Sequence, residues 1–305
     1  MLAGALVLAA APARARGADE PGDKPSFNRH TGLFEPPLGE LERSVERGDR
    51  TEMARWAERI GPARLAGLMR GSDRAFVLAA LQAAAVLPGS ARLLEAATPL
   101  ASSADPALTE HAVRALGAML DGSEPRSLQD WDVPGDAVAR ACRALIDAAT
   151  RAGSGQAVRL AALDALTESS AFCPAAGLGQ LLSDAAPAVR RAAVMALRPR
   201  DSLPIPELQK AIADSDPGVV SAAAVAWCRH RMVLPAAAAL ASSMLPLLRA
   251  LALASSTAVE DAVEVLPCLA VSSDHADRQA IEQRKRSKVP LLRTRAEELG
   301  TGASR

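Results

Sequence analysis

A short apolar pattern that returns in register along most of the chain constrains its fold more than any other feature. Taking Val189 as origin, small or apolar residues follow three, four and eight positions later, at Ala192, Ala193 and Leu197. The same offsets run from Val158 (Ala161, Ala162, Leu166), Val219 (Ala222, Ala223, Trp227) and Phe76 (Ala79, Ala80, Ala84). From Leu108 they give His111, Ala112 and Leu116, and from Leu248 they give Leu251, Ala252 and Ser256, each with one polar exception. These offsets share one face of an α-helix, so each copy has a single stripe to bury. Most origins recur about every thirty residues, a period of helical solenoids, where a copy covers its stripe by stacking on its neighbours.

A shorter helix precedes each of two reference helices, marked by Leu178, Leu181 and Leu182 in one case and by Leu208, Ile212 and Ala213 in the other. Both run to an acid, Asp184 or Asp214, and then to a turn carrying Pro187 or Pro217. Proline lacks the N–H that the first helical turn leaves unpaired anyway, so these prolines start helices. Ala192-Ala193 and its equivalents let neighbouring helices approach closely. The fold class predicted is all-α, an α-solenoid of stacked antiparallel helix pairs over residues 38–300. Composition agrees: hydrophobic residues are 49% but aromatics only 2%, with no tyrosine. A thick globular core is normally filled by large rings, whereas a thin two-layer stack needs only Ala, Leu and Val.

In Gln156 to Leu166, Asp184 to Leu197 and Asp214 to Trp227, the chain resembles HEAT-like repeats, in particular the short variety related to phycobilisome-lyase repeats. The resemblance fades towards both ends, and Val220 departs from it where Arg159, Arg190 and Arg249 stand at the equivalent position. It implies a stacked-helix scaffold and says little about function, because such repeats serve many unrelated proteins. By the resemblance alone, the alternative activity is that of a lyase or chaperone for a tetrapyrrole such as a bilin. The iron-binding hydroxylase relatives of these repeats use a His-Glu dipeptide; here Glu110-His111 has the reverse order.

The ends and one interior stretch read differently. Met1 to Ala13 is apolar and uncharged, too short to span a bilayer, and small-x-small sites follow at Ala11-Pro12-Ala13 and Ala13-Arg14-Ala15. Residues 1–18 are accordingly read as a signal peptide, although the positive residues that normally precede the apolar run are missing. Residues 19–37, rich in Pro, Gly and charge, are read as a flexible linker, and 301–305 as a tail. Leu108 and Val158 lie about fifty residues apart instead of about thirty, which marks an insertion near 121–135.

The candidate chemistry is sparse. Lys plus Arg (35) equals Asp plus Glu (35), so no net field favours nucleic acid or an anionic membrane surface. There is no H-E-x-x-H, phosphate loop or nucleophile elbow, and His30, His111, His230 and His275 are scattered. No catalytic residue, cofactor or metal site is assigned. Arg159, Arg190 and Arg249, one per copy, read either as a basic stripe for an anionic partner or as a structural ladder paired with turn acids such as Asp184 and Asp214. Trp131, between Asp130 and Asp132 in the insertion, reads either as a partner contact or as a plug for the wider gap; Trp56 and Trp227 lie on core stripes. Glu282 to Lys288, locally basic, reads either as a solvated end face of the solenoid or as an anion-binding patch. Four cysteines, an even number, suit an oxidising compartment; Cys142 with Cys173 is the first pairing to test, against four buried thiols. The reading is a non-catalytic protein-binding or scaffolding solenoid of the cell envelope, periplasmic or secreted. Its partner is an unidentified protein, with no stable membrane span after signal removal. Its oligomeric state is left open.

Overall fold

A computed structural model describes residues 26–28, 33–35, 38–87, 90–121, 133–198, 205–231, 241–255, 257, 259–272 and 274–302. Two short strands, β1 (Ser26–Asn28) and β2 (Leu33–Glu35), pair antiparallel with Phe27 opposite Phe34. They fall within the span read as linker. The remaining regular structure is helical. The first group comprises α1 (Leu38–Arg47), α2 (Arg50–Ile60), α3 (Pro62–Met69), α4 (Arg74–Ala84), α5 (Ala91–Ala97), α6 (Pro106–Met119) and α7 (Gly135–Thr150). Then come α8 (Gln156–Glu168), α9 (Pro187–Leu197), α10 (Ile205–Ile212) and α11 (Pro217–Arg231). The last four are α12 (Ala241–Leu253), α13 (Val259–Ala270), α14 (His275–Arg284) and α15 (Pro290–Gly302).

Local chemistry sets the helix starts. Asp49, Asp73, Asp105 and Asp274 each cap a helix by accepting a backbone N–H two or three residues on, at 2.9–3.0 Å. Pro62, Pro106, Pro187, Pro217 and Pro290 stand first in their helices. The segment of Leu178, Leu181 and Leu182 forms a 3-10 helix, Leu178–Ser183, rather than an α-helix. It has six residues between Gly177, at φ 86°, and the extended Asp184, too few to establish an α-helical ladder.

The helices stack in two rows. α4, α6, α8, α9, α11, α13 and α15 pack in succession along one row; α3, α5, α7, the 3-10 segment Leu178–Ser183 and α10 follow one another along the other. The repeated stripes lie between the rows. Val158, Ala161, Ala162 and Leu166 are buried, as are Val219, Ala222, Ala223 and Trp227, and Ala79, Ala80 and Ala84. The neighbour order changes after α11: its main partner beyond α9 is α13, while α12 forms a hairpin with α13 and also touches α14. The copy from Leu248 still buries Leu248 and Ala252, but it sits outside the run of reference helices. The long interval before Val158 is taken up in part by α7, a helix of 16 residues preceded by the buried Val133.

Small residues set the row spacing. At the α6–α8 crossing, a Cβ on Gly117 would lie 2.6 Å from the Ala165 Cβ and 2.8 Å from its Cα. Only glycine permits this approach.

Candidate functional site: turns, groove and cavity of the long row

Arginines reach acids in or just beyond the turns that precede later helices, most of them along one edge of the long row. Arg159 pairs with Asp184 and also donates through Nε to the Ala149 carbonyl. Arg190 gives Nε and Nη2 to the two oxygens of Asp214 at 2.7 and 2.8 Å. Its Nη1 donates to the Asp184 carbonyl at 2.8 Å, which joins this rung to the one before. Arg249 pairs with both Asp274 and Asp277. All three arginines singled out in the sequence are thus paired with acids: the first two, with side chains only 13% exposed, form rungs along the long row, whereas Arg249 joins α12 to α14 outside it. A further rung, Arg74 to Asp105, was not legible in the sequence, because Arg74 lies at a different offset from its stripe.

Asp105, Asp184, Asp214 and Asp274 each serve twice, since one oxygen also accepts a backbone N–H two residues on. These contacts favour the charged form. The hydrogen bond from Arg74, with help from backbone donors, holds the Asp105 carboxyl down to about 2. Asp184 and Asp214 are lowered chiefly by Arg159 and Arg190, and Asp274 first by the Ala276 N–H and then by Arg249. Asp277 is fully buried, and its second oxygen has no hydrogen-bond partner among the described residues.

The four cysteines form two disulfides. Cys142 of α7 is bonded to Cys173, Cα to Cα 5.2 Å, and Cys228 of α11 to Cys268 of α13, Cα to Cα 5.7 Å. The first lies towards the other row; the second ties two successive helices of the long row.

Across α2, α4, α6, α8 and α9 the long row opens as a groove. One section of about 360 Å³ includes Arg50, Gln82 and His111; an adjoining one of about 790 Å³ includes Arg191 and Met195. Arg114, Asp164 and Glu168 line both sections. Asp164 and Glu168, four residues apart on α8, repel each other, an arrangement that weakens a helix. Neither makes a hydrogen bond or ion pair among the described residues, whereas Arg114 pairs with Glu110 at 3.0 Å. Loss of water to the groove walls raises the Asp164 carboxyl, opposed by the charge of Arg114. Glu168 is raised by the same desolvation, then by Asp121 and Asp164, against the pull of Arg114. Arg50 and Arg191 also stand without a carboxylate partner among the described residues.

The sequence reading did not single out this groove, although the like-charged i, i+4 pair on α8 was a visible signal. Trp227 is fully buried; Trp56 is partly buried, with the Arg59 guanidinium 4.6 Å from its ring centre. Trp131 and His30 lie outside the described residues. Among the described residues no group of three or more His, Cys, Asp and Glu is placed to hold a metal ion, and no helix is long and apolar enough to cross a membrane.

No protein-family model and no curated protein sequence matches the chain. Solved structures do. An engineered protein is similar at TM-score 0.52 and 16% identity, over 88% of this chain and 78% of that one. Importin beta is similar at TM-score 0.52 and 14% identity, over 87% of this chain and 41% of importin beta. A chain of the Kap95:Nup1 complex is similar at TM-score 0.52 and 14% identity, over 88% of this chain and 39% of that one. The chain therefore spans less than half the length of these two natural proteins. At such identities the likeness is one of fold alone: a helical solenoid of the HEAT-like kind.

Proposed function

We propose that this HEAT-like solenoid is a non-catalytic binding or scaffolding protein of the cell envelope that holds another protein along the α2–α9 groove. The observation that carries this reading is the groove itself: it crosses several repeats and presents Arg50, Asp164, Glu168 and Arg191 without internal partners among the described residues. Rows of successive helices suit extended partners, because each repeat adds contact area without any one active centre. The ladder arginines, whose guanidinium groups are already engaged, contribute rigidity to this surface. Trp131 remains a candidate contact for the same partner.

Export rests on different support. The apolar run and small-x-small sites of residues 1–18 have the form of a secretory signal, and pairing of all four cysteines suits an oxidising compartment. Cell fractionation with N-terminal sequencing tests this: a protein retaining Met1 and confined to the cytoplasm would overturn it.

The binding role is tested by affinity capture from native envelope extracts with the tagged protein and with D164K/E168K. The proposal expects a partner recovered by the unaltered chain and lost with the charge reversal, while the melting temperature is unchanged. Capture indifferent to the reversal would remove the groove from the account.

A further inference from the structure

A second recess in the long row lies apart from the groove, between α11, α13 and α15, with a volume of about 590 Å³. Its wall is mainly apolar. Val225 comes from α11, Val263 and Pro267 from α13, and Val271 from the residue after α13, with the Cys228–Cys268 disulfide set among them. Val271 is 51% exposed, one of two large apolar side chains so exposed among the described residues. Apolar surface left open to water gains free energy when covered, and a recess of this size falls within the range of small-molecule sites.

The charges around the recess are uneven. Glu264 is held at 2.7 Å by Arg198, and among the described residues Arg295 makes only a solvent-exposed pair with Glu298 three residues away. Arg229 lines the same recess and makes no hydrogen bond or ion pair among the described residues. A free guanidinium beside a greasy wall matches one kind of molecule better than others. The apolar wall takes a chain, and the planar fork of an arginine takes a carboxylate through two parallel hydrogen bonds.

We infer that this recess binds a single-chain carboxylate, with the chain lying on Val225, Val263, Pro267 and Val271 and the head group held by Arg229. Arg295 stands near as a second cation. The site is independent of the groove, and the two stand or fall separately.

Calorimetric titration of the full chain with sodium dodecanoate, below its micellar concentration, tests the inference. Dodecyltrimethylammonium chloride serves as the cationic counterpart. One dodecanoate per chain is expected, with a dissociation constant on the order of 10 µM. The ammonium amphiphile should bind at least about tenfold more weakly, because its head meets Arg229 with like charge. R229E should weaken dodecanoate about tenfold or more and reverse the preference. V271D, at a half-exposed position, should weaken it without lowering the melting temperature. Equal binding of the two amphiphiles, uptake of many molecules per chain, no binding at all, or unchanged affinity in R229E would each overturn the proposal.

Discussion

The two junctions made by α11 are secured by different means. Towards α9, Arg190 reaches Asp214 with both edges of its guanidinium and continues to the Asp184 carbonyl, so the repeats are laced through charge. Towards α13, the ladder position on α11 is Val220, and no rung can start there. That junction carries the Cys228–Cys268 disulfide instead. The comparison teaches that a stripe of small side chains aligns neighbouring helices, and that these two junctions meet a further need for a directional tie differently. An ion pair and a covalent bond both meet that need, yet they answer to different conditions: the first to acid and salt, the second to reductant.

Removing the covalent tie should have the largest effect. The bond closes a loop of 40 residues, and C228S/C268S should lower stability by about 4 kcal/mol in denaturant unfolding. A loss no greater than that of a surface mutant would mean that packing alone holds the α11–α13 junction. A junction with neither tie sets the next level: G117V at the α6–α8 crossing forces Ala165 aside and should cost about 3 kcal/mol. Thermal unfolding of G117V indistinguishable from the parent would show that the two helices are not locked together.

R190A should lower the melting temperature less than either change. The loss should shrink in high salt and should not add to that of D214A, since both remove one rung. Full additivity of the two would dissolve the idea of a rung.

Acid titration separates the ladder from the groove by sign. Asp105, Asp184, Asp214 and Asp274 have folded pKa values below their unfolded ones, so their stabilisation is complete above the unfolded value of about 3.9 and is lost as pH falls through the folded values. For Asp105 that loss centres near pH 2. Asp164 and Glu168 are raised, so their ionised forms oppose folding at neutral pH, and that opposition disappears as pH falls through their folded pKa values. Stability should therefore hold or rise slightly on mild acidification and drop only in strong acid. The smallest effect follows: D164N/E168Q should leave neutral-pH stability equal or slightly higher and abolish the mild-acid rise. A marked loss of stability in that variant would mean that the two carboxylates have structural partners.

Much of the scaffold was legible because burial in a helix leaves a periodic trace. Val158, Val189 and Val219, with the small residues at fixed offsets behind them, announced helices that stack, and Pro187 and Pro217 announced where two of them begin. The ladder was half legible: Arg159, Arg190 and Arg249 shared a position beside their stripes, but whether their charge faced a partner or the acid of a later turn depended on distances between repeats. Arg74 escaped notice because it reaches Asp105 from another offset. The groove was less visible still. Asp164 and Glu168 stay exposed and look like any solvated pair until α6 and α9 rise on either side and thin the water around them.

The amino-acid order by itself determined a chain of short helices with narrow small-residue stripes, since side-chain size and helical period are properties of single segments. Tertiary structure alone decided that α11 packs against α13 more extensively than against α12, that an ion-pair ladder gives way there to a disulfide, and that the long row opens into a charged groove and an apolar recess. Those outcomes depend on which residues meet across repeats, and such meetings arise from three-dimensional stacking that no local pattern encodes.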